Sequence, residues 1–360
     1  MLRTPVVGQP QVSHLLWGAH IMLLRRIRRA GGVLRSRLLH GRPSSADRYP
    51  AEYRLLRVGT HPGDEWPVPP HVESQASPLE GGADVVPAAP VFGLELFETL
   101  FAEYASKPIV TDPPRYDATS VNDRSRGRLL SVHRRIDLMS KSVLEVGCGS
   151  GMEVWYLAHH LGSDAWGIDI LPRRAWPALE GDRVHLIATD IARGNGLPSD
   201  TFDRVLSHTV WEHIEHPHAA FAEVFRVMKP GALAWIRANL YRGPTASHRA
   251  KDIPFPFPHL LFSDDVIAEG LRRAGKRPRG AAWVNRLTWE QYEAHIQEAG
   301  FRIRSLRFDH YPLDEAFYTR FEGVLGRYPR RDLERGFFTV ILEKPARRVV
   351  LSPDPPRLSV

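Results

Sequence analysis

The sequence predicts an α/β fold, with a mostly parallel sheet covered by helices on both faces. Short apolar runs of about five residues recur from residue 142 onward, and amphipathic segments separate several of them. One of these runs leads directly into closely spaced glycines and then into a helical pattern, at residues 143–152. Alternation of strand and helix at this spacing is typical of a parallel sheet.

Two helices are predicted before the first strand, at 94–104 and 123–139, because apolar residues recur there at helical spacing. Further helices are predicted at 152–161 and 219–228. The apolar runs that predict the first five strands are 142–146, 165–170, 184–188, 203–207 and 232–236.

The second half of the chain continues the pattern after a proline-rich segment at 253–261. A helix is predicted from Ser263. Another is predicted to begin at Thr288, which forms a capping-box pattern with Gln291. Two late apolar runs, 301–308 and 337–343, predict the last strands.

Composition limits the classes of protein to which the chain could belong. It has 360 residues, 43% of them hydrophobic, which is enough for a substantial core. The single cysteine, Cys148, excludes a disulfide framework and a cysteine-based zinc site, and it agrees with the reducing cytoplasm, where we expect the protein. No run of 18 apolar residues predicts a membrane span.

The net charge of +7 comes from the N-terminal part of the chain. Residues 1–60 contain eleven Arg and two acidic residues, so the rest is nearly neutral. This disfavours nucleic acid as a partner, since a nucleic-acid-binding domain normally has a basic face. Residues 12–40 could contact an anionic membrane surface or act as a targeting segment. A poorly ordered extension, or a true start at Met22, is the favoured interpretation, because Arg-rich amphipathic matches are common by chance.

Composition also predicts the domain boundaries. Residues 61–90 contain seven prolines and no Lys or Arg, which predicts a linker. We expect a helical lid region at 91–140, a main domain at 141–345 with an insert at 239–286, and a loose tail at 346–360. The oligomeric state cannot be inferred from these patterns.

Three alternating glycines follow the first predicted strand, at Gly147, Gly149 and Gly151. Glycines there let a ligand approach the backbone, and the helix that follows offers free N–H groups. The spacing differs from the G-x-G-x-x-G of dinucleotide sites. Glu145, just before the loop, would repel a pyrophosphate but attract a ligand that carries an ammonium and a sulfonium group.

Two more acidic residues follow successive predicted strands, Asp169 and Asp190. A carboxylate at the first position can accept from both hydroxyls of a ribose, and one at the second can accept from a purine amine. Either residue alone could equally cap a helix or a turn. Together with the glycine loop, they predict a nucleoside-binding edge of the sheet.

The segments VLEVGCGSG, GIDI, ATDIARGNGLPSDTFDRVLSHTVWEHI and VMKPGALAWI resemble those of class I S-adenosylmethionine-dependent methyltransferases, in particular the type 11-like branch that acts on small molecules. The resemblance is tight from 143 to 237 and looser to residue 344. It implies a Rossmann-like sheet of seven strands with the last one antiparallel, and S-adenosyl-L-methionine as cofactor.

The resemblance also implies roles for individual residues. Glu145 and the three loop glycines would hold the amino acid end of the cofactor, and Asp169 would bind its ribose. The remaining implied contacts lie beside the adenine and near the methyl-bearing sulfur. They are Ile170, Asp190 and Ile191 for the adenine, and Ser207 and His208 for the sulfur.

A histidine-rich segment follows the fourth predicted strand, at 208–218. We predict no metal here, because the spacing lacks HExxH and two of the histidines flank Pro217. Transfer to a hydroxyl or ammonium acceptor needs a base, and a neutral imidazole suits that role. His208 and His213 are the candidates for catalysis, with His259 as a third, although packing explains each of them as well.

The prediction is therefore an enzyme (EC 2.1.1) that methylates an oxygen or nitrogen of a small molecule, such as a sugar, lipid precursor or secondary metabolite. The insert, with Tyr241, Arg242, His248 and Arg249 and the run 255–259, could wall the acceptor pocket or form a surface loop. Two alternatives remain open. One is an RNA or protein methyltransferase that uses the basic extension, and the other is a nicotinamide-dependent oxidoreductase.

Overall fold

Seven strands form one sheet in the computed structural model of the protein, which describes residues 92–109, 118–278 and 280–346. The predictions for 1–60, 61–90 and 347–360 fall outside these residues. The strands are β1 (Ser142–Val146), β2 (Asp164–Asp169), β3 (Val184–Ala188), β4 (Phe202–His208), β5 (Met228–Asn239), β6 (Arg302–His310) and β7 (Arg335–Glu343).

The strand order is β3-β2-β1-β4-β5-β7-β6. Pairs from β3 through β5 are parallel, and β7 runs antiparallel to both β5 and β6. This confirms the predicted seven-stranded Rossmann-like sheet. The order reverses next to β1, so the carboxyl ends of β1, β2 and β4 meet at one edge, where ligands bind in open α/β sheets.

Eleven helices are assigned within the described residues. They are α1 (Leu94–Tyr104), α2 (Ala118–Ile136), α3 (Met152–Leu161), α4 (Trp176–Leu179), α5 (Pro217–Val227), α6 (Pro258–Leu261), α7 (Asp264–Arg273), α8 (Trp289–Glu298), α9 (Glu315–Arg320), α10 (Glu322–Leu325) and α11 (Arg330–Leu333). None of the helices that the structure describes has the length and apolar composition needed to cross a bilayer.

Helices cover both faces of the sheet. On one face, α2, α3 and α4 bury side chains such as Val132, Leu157 and Trp176 against β1, β2 and β3. On the other face, α5 and α8 bury Phe221 and Tyr292 against β4, β5 and β7. Each face therefore has its own apolar core, as the continuous apolar strands predict.

A third apolar cluster lies away from both faces. It joins α1, the insert and the short helices α9 to α11, and its centre includes Phe97, Phe255 and Phe262. Gly270 in α7 lies directly under Phe97, where a Cβ atom would approach the ring to 2.3 Å. Phe255 and Phe257 of the aromatic–proline run are buried here, so the run is neither a plain surface loop nor an exposed wall.

Most predicted boundaries agree with the structure to within two residues. β5 begins four residues earlier than predicted, and α2 ends at Ile136 because Asp137 and Ser140 have positive φ. The capping box at Thr288 is present, with Gln291 as its partner. Helices α9 to α11 were not predicted, since their four- to six-residue lengths are too short for a helical period to show.

The two helices of the predicted lid region 91–140 pack in different parts of the protein. α1 packs in the third cluster, beside the insert, whereas α2 packs against α3 and the sheet. A lid function for these helices stays a prediction, as do the domain boundaries.

Candidate functional site

The glycine loop joins β1 to α3, and each glycine in it has a positive φ. The backbone N–H groups of Gly147 and Cys148 donate to the Ile168 carbonyl in β2, at 2.8 and 3.0 Å. These bonds hold the loop against the end of the neighbouring strand. The loop is therefore a fixed part of the sheet edge.

The three glycines meet different surroundings. A Cβ atom at Gly147 would lie 2.2 Å from Val210, and one at Gly151 would lie 3.0 Å from Leu186. At Gly149 a Cβ atom would have no heavy atom within 4 Å. Gly147 and Gly151 thus permit close packing, while Gly149 presents its backbone to open space.

Asp169 stands at the end of β2 and holds the same loop. Its Oδ2 accepts from the Gly149 N–H at 3.0 Å, and its Oδ1 accepts from the Leu171 N–H at 3.2 Å. The side chain is 12% exposed, with Arg173 at 3.8 Å. Because a carboxylate has about four acceptor positions, two remain for a diol.

The residues predicted to contact the adenine differ in how exposed they are. Ile170 is 69% exposed and Leu171 is 57% exposed, so together they form an apolar surface after β2. Asp190 lies two residues beyond the end of β3, and its Oδ1 accepts from the Ala192 N–H at 2.8 Å. Ile191 is buried in the core, where it can support a ligand only through its neighbours.

Glu145, in β1 beneath the loop, is buried, and its Oε2 has no hydrogen-bond partner among the described residues. Burial raises its pKa well above the usual range, and the nearby Glu153 raises it further, while Arg128 opposes the shift. Glu145 therefore keeps its proton to a higher pH than an ordinary carboxyl group, and a cation beside it would favour the ionised form. The acidic residue before the glycine loop is thus a buried carboxyl group with one oxygen that has no partner among the described residues.

Glu153, in the first turn of α3, belongs to a cluster of ionisable side chains that the sequence did not predict. Arg128 of α2 lies 2.8 Å from its Oε1, and His208 Nε2 lies 3.2 Å from its Oε2. Burial alone would raise the pKa of Glu153, but His208 and Arg128 hold it below the usual value. The sequence feature that could have revealed this group is Glu153 itself, an acidic residue within the apolar helical pattern of 152–161.

His208 and Ser207, at the end of β4, both turn into the protein. The His208 side chain is 7% exposed and faces Glu153, and burial lowers its pKa although Glu153 opposes this. The Ser207 hydroxyl is buried and donates to the Val146 carbonyl at 2.9 Å. Both side chains therefore tie β4 to its neighbours, and their predicted place near the sulfur has no support from these contacts.

His213, in contrast, is exposed, in a 3-10 turn at Trp211–His213. Its Nδ1 lies 2.9 Å from the Trp283 carbonyl oxygen. Because a carbonyl can only accept, Nδ1 carries the proton and Nε2 keeps its lone pair. Of the two predicted bases, His213 has the accessible nitrogen.

Two other ionisable groups lie beside His213. Glu212 is 2% exposed, and neither of its oxygens completes a hydrogen bond with the described residues. Burial raises its pKa to about 7, with the backbone N–H groups of Glu212 and Asn239 offsetting this in part. His248 comes from the insert, and burial lowers its pKa to about 4, so its imidazole is neutral.

His259, the third candidate base, is buried in the aromatic cluster. Its Nε2 lies 2.7 Å from the Tyr241 carbonyl, and burial lowers its pKa to about 4. Its surroundings suit packing better than contact with an acceptor.

The edge formed by β1 and β2 fits S-adenosylmethionine. Glu145 offers a free carboxyl oxygen for an ammonium group, and Gly149 offers open backbone where a larger side chain would intrude. Asp169 has acceptor positions to spare for a ribose, and Ile170 offers an exposed apolar surface for an aromatic base. These features therefore suit the ammonium group, the ribose and the adenine of S-adenosylmethionine.

Comparison with known proteins identifies residues 144–236 as a match to the family described as "Methyltransferase domain". The ubiquinone biosynthesis O-methyltransferase of Maricaulis maris is 31% identical over 168 residues, which cover 40% of this chain and 61% of that protein. The phthiotriol/phenolphthiotriol dimycocerosates methyltransferase of Mycobacterium tuberculosis is 33% identical over 148 residues, which cover 39% and 53%.

Among solved structures, the 1,6-didemethyltoxoflavin-N1-methyltransferase of Burkholderia thailandensis aligns with 72% of this chain and 94% of its own, at 15% identity and a TM-score of 0.41. The chain spans between two fifths and about three fifths of the length of the curated relatives it matches. The match is therefore to the domain that carries the glycine loop.

Proposed function

We propose that the protein methylates an oxygen or nitrogen of a small molecule, because residues 144–236 match the methyltransferase-domain family and the loop and strand ends suit S-adenosylmethionine. The observation that carries the proposal is the joint placement of Glu145, Gly149 and Asp169 at the carboxyl ends of β1 and β2. These residues offer a charge acceptor, open backbone and a diol acceptor side by side.

When bound, S-adenosylmethionine supplies a methyl group already activated on a sulfonium. The chain's own task is to align the acceptor with that methyl group and to exclude water. Asp169 would fix the ribose, and Glu145 would bind the ammonium group as an ionised carboxylate. The hydrogen bond from Gly149 to Asp169 means that the loop and the ribose acceptor are positioned together.

We place the acceptor on the side of His213. Its Nε2 lone pair is free because Nδ1 donates to Trp283, and the side chain reaches the surface. An acceptor hydroxyl beside this nitrogen would be oriented by it and would lose its proton toward it. His208 would contribute by position only, since its ring faces Glu153.

A lipid precursor is the acceptor class we favour. The two relatives are named for ubiquinone biosynthesis and for dimycocerosate lipids, and both names point to large apolar acceptors. In this chain, Trp283 adds support, because it is 58% exposed and its carbonyl holds His213. An exposed indole on the residue that holds His213 offers apolar surface to an acceptor in this part of the protein.

The test has two arms. Calorimetry should detect binding of S-adenosylmethionine or S-adenosylhomocysteine, and no binding of a nicotinamide dinucleotide. Incubation with radiolabelled methyl donor and fractionated extract of the source cell should place label in the lipid-soluble, protein-free fraction. Dinucleotide binding without donor binding would overturn the domain assignment, and label in RNA or protein would overturn the acceptor class.

A further inference from the structure

Three possible metal ligands converge from two separate parts of the chain. Glu212 and His213 lie in the turn after β4, and His248 lies in the insert, 35 residues further on. Each residue has a ligand atom, and these atoms all lie within 4.8 Å of one another. The His213 and His248 rings are 4.8 Å apart between centroids.

The cluster contains buried polar atoms that nothing in the described protein satisfies. Both oxygens of Glu212 and the Nε2 of His248 are buried without a hydrogen bond. Burying polar groups without a partner destabilises a fold, so an unsatisfied set in one place calls for a ligand. With the proton of His213 on Nδ1, its Nε2 has no hydrogen to donate to the Glu212 carboxylate, whereas a metal ion accepts lone pairs from both groups.

His213 has the orientation of a metal-binding histidine. Metal-bound imidazoles usually donate their second ring N–H to a carbonyl or carboxylate, which fixes the tautomer. The 2.9 Å contact from Nδ1 to the Trp283 carbonyl does this here. The Nε2 lone pair is left on the side of the ring away from that bond.

The surrounding backbone holds the three residues in place. Asn285 donates through Nδ2 to the Trp211 and Ile214 carbonyls at 2.8 and 3.1 Å, and its N–H donates to the Glu212 carbonyl at 2.8 Å. Tyr292 in turn donates to Asn285 Oδ1 at 3.1 Å. The turn after β4 is thus fastened to the end of the insert by one half-buried asparagine.

His248 has a φ of +56°, an unusual conformation for a residue with a side chain. Backbone strain of this kind is found mostly at functional sites. The bond from Ala282 N–H to the neighbouring Ser247 carbonyl, at 3.1 Å, helps to hold this conformation.

We propose that Glu212, His213 and His248 bind a divalent metal ion of the zinc or cobalt type, with one coordination position left open for an oxygen atom. Two imidazoles and one carboxylate form the donor set of catalytic zinc sites, in which substrate or water takes the fourth position. Imidazole ligands disfavour magnesium and calcium, which prefer oxygen. Donors around tetrahedral zinc stand about 3.4 Å apart, so a small contraction closes the site.

The open position would take a hydroxyl or carbonyl oxygen of the acceptor, a role that rests on the proposed methyl transfer, whereas metal binding itself does not. A metal-bound hydroxyl loses its proton more readily because the ion stabilises the alkoxide. In that case His213 Nε2 would be a ligand and not the base described above, the ion would take over the base's role, and the proton would pass to water or buffer at the open side. The proposal goes against the expectation, drawn from local spacing, that the segment 208–218 binds no metal, and the experiment below decides between the two.

The first experiment measures binding of the metal alone. The full-length protein is stripped with EDTA, dialysed, and titrated with ZnCl₂ by calorimetry and with CoCl₂ by visible absorption. We expect one strong site per chain and a cobalt spectrum of low coordination number. His248→Gln and Glu212→Gln should each weaken zinc binding at least about a hundredfold.

His218→Gln is the matched control. His218 is an exposed histidine that lies 3.6 Å from Glu298, near His295, so it has a similar donor neighbourhood on the surface. This variant should keep the strong site. Circular dichroism checks the fold of each variant, and Glu212→Gln, which keeps the volume of the side chain, covers the case in which His248→Gln is unfolded.

The outcomes separate the two proposals. Zinc binding that survives both His248→Gln and Glu212→Gln overturns the metal site. Loss of the site in both variants, with S-adenosylhomocysteine affinity unchanged, supports it even if no methyl transfer is found. If turnover falls in His213→Gln but not in His248→Gln or with EDTA, His213 is a simple base and the open-position role is overturned.

Discussion

Two buried carboxyl groups lie at the functional edge of the sheet, and they differ in their neighbours. Glu145 is 4% exposed and Glu212 is 2% exposed, and burial raises the pKa of both. Glu145 has a second carboxylate beside it, Glu153, whereas Glu212 has the imidazole rings of His213 and His248 beside it.

This difference shows that burial alone does not decide which ligand a carboxyl group binds. Beside another negative charge, Glu145 suits a compact cation that brings its own hydrogens, such as an ammonium group. Beside nitrogen lone pairs, Glu212 suits an ion that accepts lone pairs, which is a metal. Three variants test whether these two sites act independently.

The largest effect is expected from Gly149→Val. The side chain would occupy the open space above the loop, so we expect S-adenosylhomocysteine affinity to fall by at least about a hundredfold. The φ of +51° adds strain on the order of 1–2 kcal/mol. Calorimetry gives the affinity, and zinc binding should not change.

Gly231→Val controls for that strain, because Gly231 also has a positive φ, +80°, and free space around its Cβ position. It should lose similar thermal stability but keep cofactor affinity. Normal binding by the Gly149 variant would mean that the loop does not contact the cofactor.

The second-largest effect on cofactor affinity is expected from Asp169→Ala. Removing the carboxylate leaves two ribose hydroxyls and the Gly149 N–H without their acceptor, at about 2–3 kcal/mol, or roughly 30–150-fold in affinity. Asp164→Ala, at the opposite end of the same strand, is the control and should bind normally. Equal affinities for the two variants would contradict the ribose assignment, and a parallel loss of zinc binding would show that the two sites are coupled.

The smallest effect is expected in the pH dependence of cofactor affinity, which Glu145 sets. Because burial raises its pKa, the free protein keeps a proton there to a higher pH than an ordinary carboxyl group, and a bound ammonium favours the ionised form, so binding below the raised pKa releases a proton. Affinity should therefore rise with pH, by up to about tenfold per unit, and level off above the raised pKa. Calorimetry in buffers of different ionisation enthalpy measures the proton released.

Glu145→Gln should flatten this profile, while Glu180→Gln, at an exposed position after α4, should leave it unchanged. A Glu145→Gln profile with the parent slope would assign the proton to another group.

The sequence could predict that Glu145, the glycine loop and Asp169 lie at one edge of the sheet, because these parts are local. Glu145 and the three glycines are within seven residues, and Asp169 directly follows an apolar strand, so strand order alone brings them together. The fold class followed from the same regular alternation of strand and helix.

The proposed metal site at Glu212, His213 and His248 could not be predicted in this way. Glu212 meets His248 only because Asn285 fastens the turn after β4 to the insert, and no local period records that contact. For the same reason the inward orientation of His208 was missed, since Glu153 reaches it from a different helix. Side-chain direction at a strand end depends on the helices that pack over it.

The aromatic layer around Phe97, Phe255 and Phe262 has an interior of its own, separate from the cores that flank the sheet. A layer of this kind can open in denaturant while the sheet stays intact, as a distinct cooperative unit. His248 belongs to the segment that supplies this layer, and Glu212 belongs to the turn that leaves the sheet. An ion held between them would merge two melting transitions into one, so metal supply would govern how much of the molecule unfolds at a time.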